Sequence, residues 1–72
     1  MTTYRQATTL AIRVLMTRQG VTGRAIAEHL DVAETNVSQW LSKRTDGIPQ
    51  ARVEDIRRFL GVSNEDIARE IR

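Results

Sequence analysis

Between Ala33 and Trp40 the chain places Glu34, Thr35, Asn36, Ser38 and Gln39 around a single buried-type residue, Val37. Those polar side chains have the length and hydrogen-bonding chemistry to read base edges in a DNA major groove. Other chemistry is poorly supplied. The sequence has no Cys and one His, His29, which excludes a disulfide framework, a cysteine zinc site and a His-based metal cluster. It has no glycine-rich phosphate loop, and catalysis needs convergent groups that are not evident here. No catalytic residue, metal, cofactor or small-molecule ligand is therefore expected.

The elements that must position these side chains are helical. No segment alternates apolar and polar residues long enough to suggest a strand. Ile26, Ala27, Leu30, Val32, Val37 and Trp40 are spaced for two short helices crossing over a tight turn, a helix-turn-helix over about residues 22–42. Ala27 is small enough for two backbones to approach, and the other five fill the wedge, with Trp40 read as core. Asp31 stands at the turn, where a positive φ is needed that Asp adopts at some cost. Thr22 is the expected N-cap of the second helix. The first helix is expected from about residue 4 to 18, capped by Thr2 or Thr3 and stopped at Gly20. Ala7, Ala11, Val14 and Leu15 form its apolar stripe with Leu10 beside it, leaving Ile12 and Met16 partly exposed. Asp46-Gly47 marks a turn. Pro49 is expected as the first residue of a fourth helix that ends at Leu60, with Val53, Ile56, Phe59 and Leu60 facing inward. Gly61 suits the left-handed C-terminal position. Ser63 starts a fifth helix to about residue 71, with Asp66 completing a weaker capping box and Ile67 and Ile71 as its apolar face. The expected fold is all-α: a single domain over residues 1–72, a bundle of about five short helices around one small core.

Size and charge are consistent with that reading. The chain has 72 residues, and a domain of this size buries only about 60% of its unfolded surface. Apolar residues make up 40% and charged residues 28% of the chain, an ordinary globular balance. The apolar runs are too short to span a membrane, and the N-terminus lacks the pattern of a signal peptide, so the cytosol is the expected compartment. A net charge of +2 is weak evidence for nucleic acid. The placement says more: Lys43, Arg44 and Arg52 follow the proposed reading helix, whereas Glu65, Asp66 and Glu70 lie in the tail. Arg supplies planar bidentate contacts to phosphate and guanine.

At AIAEHLDVAETNVSQWL the chain resembles the phage Cro and repressor type (XRE-like) helix-turn-helix family. It carries that family's small residue, its apolar set and its VSQW ending. Ile48-Pro49 after the reading helix is similar to the small all-helical Cro and CII-type phage regulators. The motif covers residues 23–41, and the flanking helix pattern extends the likeness to Leu60. Two positions depart from the family: Gly23 stands where Gln is common at a phosphate, and Asp31 where the turn has Gly.

The resemblance implies a lambda-repressor-like DNA-binding fold in which the start of the reading helix enters the major groove. Ala33, Glu34, Thr35, Ser38 and Gln39 would then lie nearest the bases. Gln39 suits adenine, Glu34 suits cytosine N4, and Ala33 suits a thymine methyl; Thr35 and Ser38 suit either a base or a phosphate. Glu34 also suits the first turn of a helix, where its charge favours the helix dipole. Phosphate contacts are expected from Thr22, Gly23 and Arg24 at the start of the second helix, from Asn36, Ser42, Lys43, Arg44 and Thr45 along the groove edge, and from Arg52. Arg24 has a second reading, a surface pair with Glu28. Arg57 and Arg58 read as a solvated face with Glu54 and Asp55, and His29 as a surface helix residue.

The resemblance further implies a transcriptional regulator, a repressor that binds a dyad operator in double-stranded DNA in a bacterial host's nucleoid. One module covers roughly 600–1,000 Å² of DNA interface, so a homodimer on two half-sites is expected. Ile67 is expected inside and Ile71 near an interface, making the last helix a candidate dimer element. A protein-interaction adaptor on the same fold, without DNA binding, is the competing reading.

Overall fold

The computed structural model describes residues 3–42 and 47–71. These form five helices and no strand: α1 (Tyr4–Gln19), α2 (Gly23–Leu30), α3 (Glu34–Leu41), α4 (Gln50–Leu60) and α5 (Asn64–Glu70). The protein is thus an all-α bundle. α1 packs on α3, α4 and α5, and α2 packs on α3 and α4. The radius of gyration is 11.1 Å, matching the roughly 11 Å expected of a compact chain of this length.

Side-chain caps set three of the five helix starts. Thr3 accepts the Gln6 amide while the Gln6 side chain accepts the Thr3 amide, a full capping box. Thr22 accepts the Ala25 amide at 3.1 Å. Ser63 and Asp66 exchange the same reciprocal pair as Thr3 and Gln6. α3 starts at Ala33 without a side-chain cap. Pro49 lies one position outside α4 rather than being its first residue. Its φ of −56° is helix-compatible, but its ψ of 140° is extended. Its carbonyl still closes the first turn, accepting the amides of Arg52 at 2.8 Å and Val53 at 3.2 Å.

Asp31 takes the left-handed conformation expected of it, with φ 56° and ψ 47°. The turn is closed by the Val32 amide, which donates to the Ala27 carbonyl at 3.0 Å. Among the described residues Asp31 is the one non-glycine with positive φ. The arrangement is the Schellman closure that glycine usually serves.

The buried face of α1 keeps Ala11 and Leu15 of the expected stripe but is otherwise rotated from it. Ile12 and Met16 are buried, at 0% and 6% exposure, whereas Val14 and Leu10 stand 40% and 43% exposed. Thr8 and Thr9 explain the rotation. Their polarity argues for solvent, yet both are buried. The Thr8 hydroxyl donates to the Tyr4 carbonyl and the Thr9 hydroxyl to the Arg5 carbonyl, each at 2.9 Å. With the hydroxyls satisfied inside the helix, the methyl groups can face the core. The inward stripe therefore runs through Thr8, Ile12, Leu15 and Met16, with Thr9 and Ala11 beside it.

One core joins all five helices and the α3–α4 connection. Ile12, Ile26, Val37, Ile48 and Ile56 are fully buried at its centre. Trp40, expected in the core, is half-buried against it, as are Phe59, Leu30, Val32 and Leu41. His29 is exposed, with its ring 4.5 Å from that of Phe59, centroid to centroid. Ile67 is buried, and Ile71 also packs on this core. The apolar face of α5 is thus used within the chain. Arg18 of α1 reaches across to pair with Glu70 of α5. The exposed large apolar side chains, Tyr4, Leu10 and Val14, all lie on α1.

The approach to α4 is held by α1. Arg5 donates to the carbonyls of Ile48 at 3.0 Å and Gly47 at 3.2 Å. Gly47 has a φ of +102°, and a Cβ there would intrude on Thr9 Oγ1 and lie 3.1 Å from the Arg5 carbonyl oxygen. Only glycine fits both the backbone conformation and the space.

Candidate nucleic-acid interface

α3 carries one buried residue, Val37, with Trp40 and Leu41 half-buried beside it. That anchoring fixes which way the other side chains point. Ala33, Glu34, Thr35, Asn36, Ser38 and Gln39 are all exposed. At about 100° per residue, Glu34, Ser38, Ser42, Thr35 and Gln39 follow one another around an arc of about 140° opposite the anchor. Asn36 falls just beyond Gln39, toward the Trp40 edge.

The N-terminus of α2 sits directly on the anchored side of α3. A Cβ on Gly23 would touch Val37 at 3.5 Å and Leu41 at 3.7 Å, ordinary van der Waals distances. The two helices and α1 together shape an open groove of about 570 Å³. Thr22, Gly23 and Arg24 line it from α2; Glu34, Ser38, Leu41 and Ser42 line it from α3 and its end; Arg13 lines it from α1. Six residues assigned to DNA contact from the sequence are thereby brought together. Ala33, Thr35, Asn36 and Gln39 lie on α3 or its cap outside this groove. Arg52 stands apart on α4, half-exposed and 3.9 Å from Asp55. Lys43, Arg44 and Thr45 lie outside the described residues.

Comparison of the chain with family models, curated proteins and solved structures returned no match.

The chemistry of the interface therefore follows from its own groups. The groove has hydroxyls at Thr22, Ser38 and Ser42, guanidinium groups at Arg13 and Arg24, and one carboxylate at Glu34. The amides of Gly23 and Arg24 belong to the first turn of α2, where the helix supplies no acceptor. Arg24 does pair with Glu28, at 3.4 Å, but both side chains are about three-quarters exposed, at 75% and 72%. Such a pair is screened and readily exchanged for another anion. Arg57 is more firmly committed. It pairs with Glu54 and donates to the Val62 carbonyl at 2.9 Å, closing the end of α4. The Arg57 hydrogen bond is also the main reason the Glu54 carboxyl is held below its ordinary value. Among the described residues no group of three His, Asp or Glu side chains could hold a metal ion. Among them, too, no helix is long and apolar enough to cross a membrane.

Sequence reasoning missed Arg13, Arg5 and Thr9, and it singled out Ile48 only for its likeness to the phage regulators, not as core. For Arg13 a signal was present. It is the one charge in the run Ala11 to Met16, and the residues three and four positions away, Thr9, Leu10, Met16 and Thr17, include no acid. A helical cation without a neighbouring carboxylate has no local partner to hold it.

Proposed function

We propose that this chain is a sequence-specific regulator of transcription that binds double-stranded DNA, a Cro-like repressor of phage or prophage type acting in the host cytosol. The observation that carries the reading is the exposed polar face of α3, set beside a groove that gathers hydroxyl and guanidinium groups at the start of α2. A helix of roughly 10–12 Å diameter fits a major groove about 12 Å wide. With α3 laid there, Gln39 presents paired donor and acceptor to adenine, Glu34 accepts from cytosine N4, and the Ala33 methyl meets thymine. Thr35 and Ser38 bond a base or the nearest phosphate. Thr22, Gly23, Arg24, Asn36, Ser42 and Arg52, with Lys43, Arg44 and Thr45, contact the backbone. These contacts set register and carry no sequence information directly.

A homodimer presents two copies of α3 to half-sites about 34 Å apart, and this gives the specificity that one module lacks. Occupied DNA blocks polymerase, which is repression. Selection from a randomised duplex pool tests the reading. Enrichment of a dyad-symmetric site is expected, with affinity that falls steeply as salt rises. No enrichment even at low salt would overturn it.

A further inference from the structure

The arginines of this chain divide sharply by partner. Arg18, Arg24, Arg52, Arg57 and Arg69 each pair with a carboxylate: Glu70, Glu28, Asp55, Glu54 and Asp66. Arg5 is committed to the Gly47 and Ile48 carbonyls. Among the described residues Arg13 and Arg58 alone have neither kind of partner. Arg58 is exposed on α4 and does not line the groove. Arg13 is half-buried and lines the groove together with Arg24. A phosphate entering that groove would meet positive charge from α1 as well as from α2.

We propose that Arg13 is a DNA phosphate contact, the part of the interface that α1 supplies. This rests on the DNA-binding reading and deepens it: the backbone is gripped from α1 as well as from α2, α3 and Arg52 of α4. Guanidinium geometry suits the task, because its planar fork can bond two phosphate oxygens at once. The Glu34 carboxylate lines the groove from α3 and makes no ion pair with Arg13 or Arg24 among the described residues. Its charge holds an entering phosphate toward α1 and α2. That leaves Glu34 available to a base donor.

The test is the salt dependence of binding to a short mixed-sequence duplex, measured for the whole chain and for R13Q, R13K and R58Q. Each phosphate contact contributes about 0.9 to the slope of log affinity against log salt. R13Q should be shallower by about that amount and should weaken binding to every sequence alike. R13K should recover the slope, since one charge is restored, and R58Q should match the unsubstituted chain. Helical circular dichroism of R13Q reports that the fold is intact. A normal slope in R13Q, or equal losses in R13Q and R58Q, would overturn the assignment of Arg13 and leave the DNA reading standing. Failure of the unsubstituted chain to bind any duplex would overturn both.

Discussion

The Ile48 amide donates to the Thr9 hydroxyl at 2.9 Å, and that hydroxyl in turn donates to the Arg5 carbonyl. One buried side chain thus closes a helix turn and pins the approach to α4 onto α1. Thr9→Val keeps the shape and removes the acceptor, leaving a buried amide unpaired. A loss of about 1–3 kcal/mol is expected. Thr8→Val is the matched control, because the Thr8 hydroxyl bonds only the Tyr4 carbonyl of its own helix. It should cost no more than about 1 kcal/mol, because only one intrahelical hydroxyl bond is lost and no buried amide is left unpaired. Urea unfolding of the two variants separates them; equal losses would show that the Thr9–Ile48 bond has no special weight.

The glycines divide in the same way. Gly47→Ala must strain a backbone at φ +102° and push a methyl into Thr9. Destabilisation of about 1–3 kcal/mol is expected. Gly23→Ala meets Val37 and Leu41 only at contact distance, within an ordinary helical turn. It should leave stability unchanged or raise it by up to about 1 kcal/mol. Thermal melting of both variants checks the contrast, which a loss in Gly23→Ala would break.

These residues also show what the sequence could and could not reveal. Helix identity was legible throughout, because Thr22, Gly61 and Ser63 are strong local signals at the places where helices start or stop. The α2–α3 turn was legible too, since Asp31 tolerates a left-handed φ better than most side chains. The phase of α1 was not. Periodicity counts Thr8 and Thr9 as polar, whereas hydrogen bonds to their own helix let both turn inward, and this rotates Ile12 and Met16 into the core. Ile48 was hidden for a similar reason. It lies in a connection without periodicity, and its burial depends on Arg5 and Thr9, some 40 residues earlier in sequence. On the candidate interface, spacing alone separated Val37 from Glu34, Thr35, Ser38 and Gln39. Local pattern could show that Arg13 lacks a neighbouring carboxylate, but its place beside the α2–α3 groove depends on the packing of α1 on α3.

The burial of Ile67 bears on α5. It is 5% exposed and belongs to the common core. Ile67→Ala should therefore lower stability by about 2–5 kcal/mol. The loss should be the same at low and high protein concentration, because the contact is within one chain. Melting across a concentration series checks this. A loss that shrinks on dilution, as the dimer dissociates, would instead place Ile67 at a dimer interface.

Acid should act through the start of the same helix. The Ser63 amide donates to Asp66 at 2.9 Å, and this backbone bond is the main cause holding the Asp66 carboxyl below its ordinary value. The unfolded chain therefore takes up the proton at higher pH than the folded chain does. The resulting stabilisation is present above the ordinary carboxylate range and is lost as pH falls through the lowered folded value. In Asp66→Asn that part of the acid dependence should be absent. Denaturant midpoints measured from neutral to acid pH read it directly, and an unchanged profile in the variant would contradict the role given to the cap.

The central claim is that the outer face of α3 reads bases. Its most direct measurement is duplex selection performed in parallel with the unsubstituted chain and with Gln39→Ala. The predicted result is one dyad site whose preference relaxes in the variant at one or two positions per half-site, with a loss there of about 1–3 kcal/mol and the rest of the site retained. The same site selected with undiminished preference at every position would contradict the claim, because it would mean that Gln39 faces the DNA without reading it.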